Sequence, residues 1–145
     1  MKKILKIIEL KIRKLFLAII QFKSKIPQKI IEPVIIFDKN KNWKIIILRQ
    51  DRIGDLLISV PFLKTLKYNL KNSVIDIILS EKNQVAKNCI IDFTDSQFIL
   101  PKNLKIIPFL FKLRKKHYDI CIDLFDNSSA TSSFLIKYIK PKRSI

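Results

Sequence analysis

Residues 45–61 read IIILRQDRIGDLLISVP and contain the sharpest change of pattern in the chain. Four consecutive apolar residues are typical of a buried strand, and the apolar spacing from Leu56 onward is typical of a helix. The charged segment from Arg49 to Asp55 separates them and holds Gly54, the single glycine of the chain. The pattern therefore predicts strand, loop and helix, with Gly54 at a sharp turn that a ligand can approach closely.

The loop ends at a predicted helix N-terminus, where unpaired N–H groups favour an anion or a positioned carboxylate. This favours a ligand site between Arg49 and Asp55. A structural interpretation is also open, in which Gly54 relieves a tight turn and Asp55 is an ordinary helix cap.

The rest of the chain alternates short apolar runs with helical spacing. Strands are predicted at residues 74–79, 98–100 and 120–124, and helices at 56–69, 81–89, 104–116 and from Ser128 or Ser129 to about 139. This alternation predicts an α/β fold, a Rossmann-like parallel sheet with flanking helices. Because parallel strands end at one edge, the loops at 49–55 and 123–129 are expected to open on the same side.

Residues 2–23 carry one apolar stripe at helical spacing, with lysine and arginine on the other side. The longest uncharged run, residues 15–22, is far shorter than the roughly 20 residues of a membrane span. We therefore divide the chain into a basic amphipathic helix (1–25), a connector (26–42) and a Rossmann-like domain (43–145). The helix is expected to lie on anionic lipid at the cytoplasmic leaflet, or alternatively to pack on the protein's own body.

The 145 residues carry a formal net charge of +17, which predicts an anionic partner such as a phosphate-bearing lipid, a sugar nucleotide or nucleic acid. Compositional bias towards lysine is an alternative source of part of that charge. We do not expect nucleic acid, because Phe16, Phe62, Phe109 and Phe111 lie in apolar helical stretches typical of a core. Charge alone still supports a basic nucleic-acid-binding module as the rival function.

The cysteines and the histidine indicate no metal site. Cys89 and Cys121 lack C-x-x-C spacing and are predicted to be reduced core thiols of a cytoplasmic protein. His117, the single histidine, has no partner at ligand spacing and is predicted to lie on the surface ahead of a strand.

Two blocks of sequence resemble the ADP-heptose:lipopolysaccharide heptosyltransferases, glycosyltransferase family 9. The first is RQDRIGD at residues 49–55, followed by Pro61, and it is similar to the loop after that family's first strand. The second is YDICIDL at residues 118–124, followed by Asn127. The closing residues 142–145 are similar to the run before the family's next glycine.

The resemblance implies the N-terminal, acceptor-side half of a two-domain GT-B glycosyltransferase, with Asp55 as general base. It implies that Arg49, Arg52 and Gly54 contact the substrate, although Arg49 could equally pair with Asp51 for structural reasons. Asn127 and Ser128 are candidates for binding acceptor hydroxyls. Phe125-Asp126 replaces a frequent Gln-Gly pair, a departure that bears on the acceptor.

The same resemblance implies ADP-heptose as donor, no metal or other cofactor, and a lipopolysaccharide (lipid A-core) acceptor. The protein is then expected to be peripheral on the inner face of the cytoplasmic membrane. A sugar other than heptose is an alternative, as is a Rossmann-like module that only docks at the membrane. Since the resemblance stops before the end of the first domain, we expect a truncated fragment with little transferase activity alone.

Overall fold

The computed structural model describes residues 37–125 and 129–145, which form five strands, three α-helices and one 3-10 helix. The strands are β1 (Lys44–Arg49), β2 (Val74–Leu79), β3 (Ser96–Ile99), β4 (Ile120–Asp123) and β5 (Arg143–Ser144). The helices are α1 (Ile53–Asn69), α2 (Ile106–Arg114) and α3 (Ala130–Ile139), and the 3-10 helix spans Gln84–Phe93.

The strands form one parallel sheet in the order β3-β2-β1-β4-β5, which confirms the predicted α/β Rossmann-like fold. β1 lies at the centre, where Ile45 pairs with Ile75 on one side and with Ile120 on the other. α1 packs with the 3-10 helix, and α2 packs with α3. The chain crosses the sheet in opposite directions after β1 and after β3, so right-handed crossovers place these pairs on opposite faces.

Central strands covered on both faces read as continuous apolar runs, as β1 and β2 do. After its first residue each of these strands is buried throughout, and α1 adds buried residues at helical spacing. Burying one isoleucine or leucine side chain contributes about 1.5–3 kcal/mol, which makes this cluster the main stabilising element. Its members include Ile45, Ile47, Leu56, Leu63, Ile75, Ile77, Leu79, Ile90 and Ile120.

Helix starts and ends are where the predicted boundaries differ from the structure. α1 begins at Ile53, three residues before the predicted start, and Pro61 lies in its interior. The segment predicted as a helix at 81–89 is a 3-10 helix displaced toward Phe93. Ser129 caps α3 as predicted, with its side chain accepting a hydrogen bond from the Ser132 N–H.

Three predictions about burial are wrong. Cys89 is exposed, whereas Cys121 is buried in β4 as predicted, and burial raises the pKa of its thiol. Phe62 and Phe111 lie on exposed helix faces rather than in the core. Helical spacing alone does not determine which apolar stripe faces the sheet, because α1 and α2 each carry apolar residues on more than one side.

Residues 1–36 lie outside the described part of the chain, and with them the predicted amphipathic helix, most of the connector and Phe16. The proposed division of the chain at residues 25 and 42 stays a prediction. Among the described helices, none is long and apolar enough to cross a membrane. His117 is exposed ahead of β4, as predicted, and adopts a left-handed conformation with φ of 52°.

Candidate functional site

Arg49, the last residue of β1, organises the carboxyl edge of the sheet. Its side chain is buried, and its Nε–H and Nη2–H groups donate to the Asp55 carbonyl at 3.0 and 2.8 Å. Nη1–H donates to the Asp51 carboxylate at 3.1 Å and also to the Leu124 carbonyl. One guanidinium thus joins β1, the first turn of α1 and the loop after β4, which is the structural role that the sequence left open. A contact with substrate stays a prediction.

Asp55 lies in the first turn of α1 and is half-buried. Its main-chain carbonyl accepts the two Arg49 hydrogen bonds and one from the Ser59 hydroxyl at 2.6 Å, so its backbone is held from two directions. The carboxylate therefore projects from a rigid element next to the exposed N–H groups of a helix N-terminus. A group held in this way is suited to accept a proton from a bound hydroxyl.

Asp51 is the close neighbour of Asp55 in this loop. Burial raises the pKa of the Asp51 carboxyl, the Arg49 guanidinium opposes the shift, and the nearby Asp55 carboxyl adds to it. The Asp51 Oδ1 atom is buried and has no hydrogen-bond partner among the described residues. The Asp51 and Asp55 carboxyl groups are therefore close enough to influence one another, and Arg49 binds the Asp51 carboxylate.

Gly54 is placed differently from what its pattern indicates, whereas Arg52 lies beside the helix N-terminus as predicted. Gly54 lies within the first turn of α1 and does not have a positive φ, so the interpretation as a sharp turn is wrong. A Cβ atom built there meets no described atom within 4 Å, and the backbone faces open space. Arg52 is the exposed N-cap residue, and its side chain makes no capping hydrogen bond. Substrate contacts by both residues stay predictions.

The loop after β4 opens at the same edge, as expected. Leu124 N–H donates to the Leu48 carbonyl at 3.3 Å, which ties this loop to the end of β1. Burial raises the pKa of the Asp123 carboxyl against a hydrogen bond with Ser132. Asn127 and Ser128 lie outside the described residues, so their proposed contacts with acceptor hydroxyls stay predictions.

Two polar side chains that the sequence did not single out, those of Asn83 and Gln50, support this edge. Asn83 is fully buried, and its Nδ2–H donates to the Arg49 carbonyl at 2.6 Å while its Oδ1 accepts from the Ser80 N–H at 2.7 Å. Gln50 Nε2–H donates to the Ser132 hydroxyl at 3.0 Å. The sequence contained one sign of the role of Asn83, which is its position four residues after a predicted strand. Asparagine is common in such turns, so the position does not reveal which group it binds.

Within residues 37–125 and 129–145, no group of three or more histidine, cysteine, aspartate or glutamate residues could hold a metal ion. The expected absence of a metal cofactor stays a prediction. The arrangement is instead one of carboxylates, backbone amides and one buried arginine at the carboxyl edge of a parallel sheet, where ligands bind in open α/β folds.

Solved structures of similar fold include glycosyltransferases. The crystal structure of a glycosyltransferase family 9 protein from Veillonella parvula DSM 2008 matches with a TM-score of 0.60 and 21% identity. The match covers 77% of this chain and 33% of that one. E. coli heptosyltransferase WaaC with ADP matches less well, with a TM-score of 0.43, 19% identity, and 55% and 27% of the two chains covered.

No protein-family model and no curated protein sequence matches this chain. The matched part of the Veillonella parvula structure amounts to about a third of its length. At 21% identity the comparison shows the fold alone, which the described part of this chain shares with the matched third of that structure.

Proposed function

We propose that this chain is the acceptor-side domain of an inverting glycosyltransferase, with Asp55 as the general base. The observation that carries the proposal is the position of Asp55 in the first turn of α1, at the carboxyl edge of the sheet. The motif that resembles family 9 and the GT-B fold support the same assignment. By that resemblance the donor is ADP-heptose and the acceptor is the lipopolysaccharide core.

The proposed reaction is a single displacement. The acceptor hydroxyl gives its proton to Asp55 while its oxygen attacks the anomeric carbon of the donor sugar. The bond from that carbon to the diphosphate oxygen breaks, and the nucleoside diphosphate leaves with the electron pair. Asp55 acts in the transition state, when the hydroxyl becomes acidic, so its contribution falls on kcat.

The arginines have separate parts in this proposal. Arg49 holds the Asp55 backbone through two hydrogen bonds and thereby fixes where the carboxylate projects. Arg52 is exposed beside the helix N-terminus, so it is available to bind a phosphate or carboxylate of an anionic acceptor. A lipid-linked acceptor also accounts for the proposed location, peripheral on the inner membrane face, with residues 1–25 on anionic lipid.

The test measures transfer of heptose from ADP-heptose to heptose-deficient lipopolysaccharide core by the protein translated from the complete reading frame. Asp55→Asn is expected to lower kcat by about 10²–10⁴-fold, the range for a lost general base, with little change in folding stability. The matched control is Asp92→Asn, since Asp92 is an exposed carboxylate outside the site. Full activity of Asp55→Asn would refute the assignment of the base.

A further inference from the structure

Helix α2 exposes an apolar stripe on the side opposite its buried residues. Leu110 and Leu113 face inward and are buried. Leu104, in the turn that leads into the helix, is 82% exposed, and Ile107 and Phe111 follow at 48% and 60%. Pro108 is exposed between them. Their spacing of three and four residues places all four on one face, which we call the apolar stripe of α2.

Basic residues border this stripe on both sides. Residues 101–117 contain six lysine or arginine residues and no acidic residue. At 100° per residue, Lys105 and Lys112 flank one side of the stripe, Arg114 flanks the other, and Lys115 follows its end. All four are exposed. An apolar face between cationic borders is the pattern of a helix that lies in the interface of an anionic membrane.

We propose that the apolar stripe of α2 inserts into an anionic lipid surface while its basic borders bind the phosphate headgroups. The stripe has three aliphatic members and one aromatic ring, so it offers little for stacking nucleic-acid bases. α1 also exposes apolar residues, including Ile58 and Phe62, but residues 53–69 carry only two basic residues and one acidic residue. The charge around α2 therefore selects it over α1.

The position of the stripe connects it to the candidate site. Leu104 follows β3 in the loop that leaves the carboxyl edge of the sheet, the same edge as Arg49 and Asp55. Insertion at α2 would bring that edge toward the lipid headgroups. The inference deepens the proposed membrane attachment by assigning a surface that does not involve residues 1–25, and binding is measured without donor or acceptor.

The first test places a tryptophan reporter in the stripe of the full chain. Trp43 is the single tryptophan, so Trp43→Phe with Phe111→Trp gives one fluorophore on α2. The matched control is Trp43→Phe with Tyr68→Trp, because Tyr68 is 73% exposed in the last turn of α1, on the opposite face of the sheet. The probe is a vesicle of equimolar phosphatidylglycerol and phosphatidylcholine with brominated acyl chains.

We expect the Phe111→Trp emission to shift to the blue and to be quenched by the brominated chains, and the Tyr68→Trp emission to be unaffected. Equal quenching of the two reporters in vesicle-bound protein, or no vesicle binding at all, would overturn the proposal. A blue shift of Phe111→Trp with a single-stranded oligonucleotide but not with vesicles would also overturn it, in favour of nucleic acid.

The second test is vesicle sedimentation of Leu104→Ser/Ile107→Ser/Phe111→Ser. Because these substitutions remove most of the apolar surface that would enter the lipid, even partial insertion predicts at least about a tenfold loss of binding. Val85→Ser/Ile91→Ser is the control, because both residues are highly exposed apolar side chains on the 3-10 helix. Equal losses in the two variants would contradict a specific role for α2. Transfer activity is a separate measurement, so failure here leaves the proposed reaction standing.

Discussion

The carboxylates at the two edges of the sheet differ in how they are paired with cations. Toward the amino edge, Asp76, Asp95 and Asp119 each pair with their own lysine at 2.6–2.8 Å. At the carboxyl edge, Asp51 and Asp123 lie near a single arginine, Arg49. The amino edge is therefore neutralised pair by pair. At the carboxyl edge Glu81 and Lys102 form an exposed pair, but Asp51 and Asp123 share the one buried cation of Arg49.

This difference shows in the direction of the pKa shifts. For Asp119, burial is opposed and outweighed by the Lys142 ammonium and the Lys44 N–H, which together lower its pKa. For Asp51 and Asp123, burial prevails over the opposing Arg49 charge and raises the pKa. Groups with raised pKa values that face a sheet edge are typical of functional sites, while paired groups are typical of structural ones.

The largest expected change in the free energy of unfolding comes from the Asp76-Lys116 pair, the most buried pair toward the amino edge. Asp76 is fully buried and accepts hydrogen bonds from Lys116 Nζ at 2.7 Å and from the Tyr118 hydroxyl at 2.6 Å. Asp76→Ala leaves both donors without their acceptor and should lower the free energy of unfolding by about 3 kcal/mol. Urea denaturation measures the change.

The control for Asp76→Ala is Glu81→Gln, which breaks the exposed pair with Lys102. That change should stay within about 0.5 kcal/mol, because exposed pairs contribute little. A loss for Asp76→Ala no larger than that for Glu81→Gln would remove the distinction between structural and functional carboxylates.

A smaller change in the free energy of unfolding should distinguish Arg49 from Arg52 at the carboxyl edge. Arg49→Met removes the donors for the Asp55 and Leu124 carbonyls and for the Asp51 carboxylate, and should cost about 2 kcal/mol of unfolding free energy. Arg52→Met is the matched control, since Arg52 is exposed and should change stability by less than about 0.5 kcal/mol. Equal stability of the two variants in urea denaturation would show that Arg49 does not hold the edge together.

The smallest expected changes in stability come from replacing one carboxylate at each edge by asparagine, and at pH 7 the two changes should have opposite signs. Asp119 has a lowered folded pKa, so it contributes stability above pH about 4 that is lost as pH falls through the folded value. Asp119→Asn should therefore destabilise the protein at pH 7, by less than about 1 kcal/mol because Lys142 is largely exposed, and the difference should close in acid.

Asp51 has a raised folded pKa, so its contribution to stability is present below pH about 4 and is lost as pH rises through the folded value. Asp51→Asn keeps an oxygen that can accept the Arg49 hydrogen bond, and it should make the protein more stable at pH 7 but not at pH 4. Thermal unfolding of both variants at the two pH values measures the signs. Destabilisation by both at pH 7 would contradict the contrast between the edges.

Much of the fold was predictable because strands buried on both faces have continuous apolar sequences. β2 was predicted at its observed bounds, and β4 within one residue. The Ser129 cap was predictable because capping depends on a local side chain. The start of α1 was not, since Ile53 and Gly54 enter the helix without any periodic signal of their own.

The candidate site was predictable to the level of its loop. The sequence placed Arg49, Arg52 and Asp55 beside a helix N-terminus, and that position is observed. It could not choose between a substrate-binding and a structural Arg49, because the deciding partner, the Leu124 carbonyl, lies 75 residues away. Asn83 was missed for the same reason, since its hydrogen bond to the Arg49 carbonyl reaches the end of β1, 34 residues away.

By itself, then, the sequence determined the order of β1 to β4 and their intervening helices, though not β5, and it determined the loop where chemistry is concentrated. Apolar periodicity and local turn residues act over a few neighbours. The tertiary structure decided which apolar stripes face solvent, as on α2, and which carboxylates are neutralised. Burial and charge pairing depend on residues brought together from distant parts of the chain, and the local sequence pattern does not identify those partners.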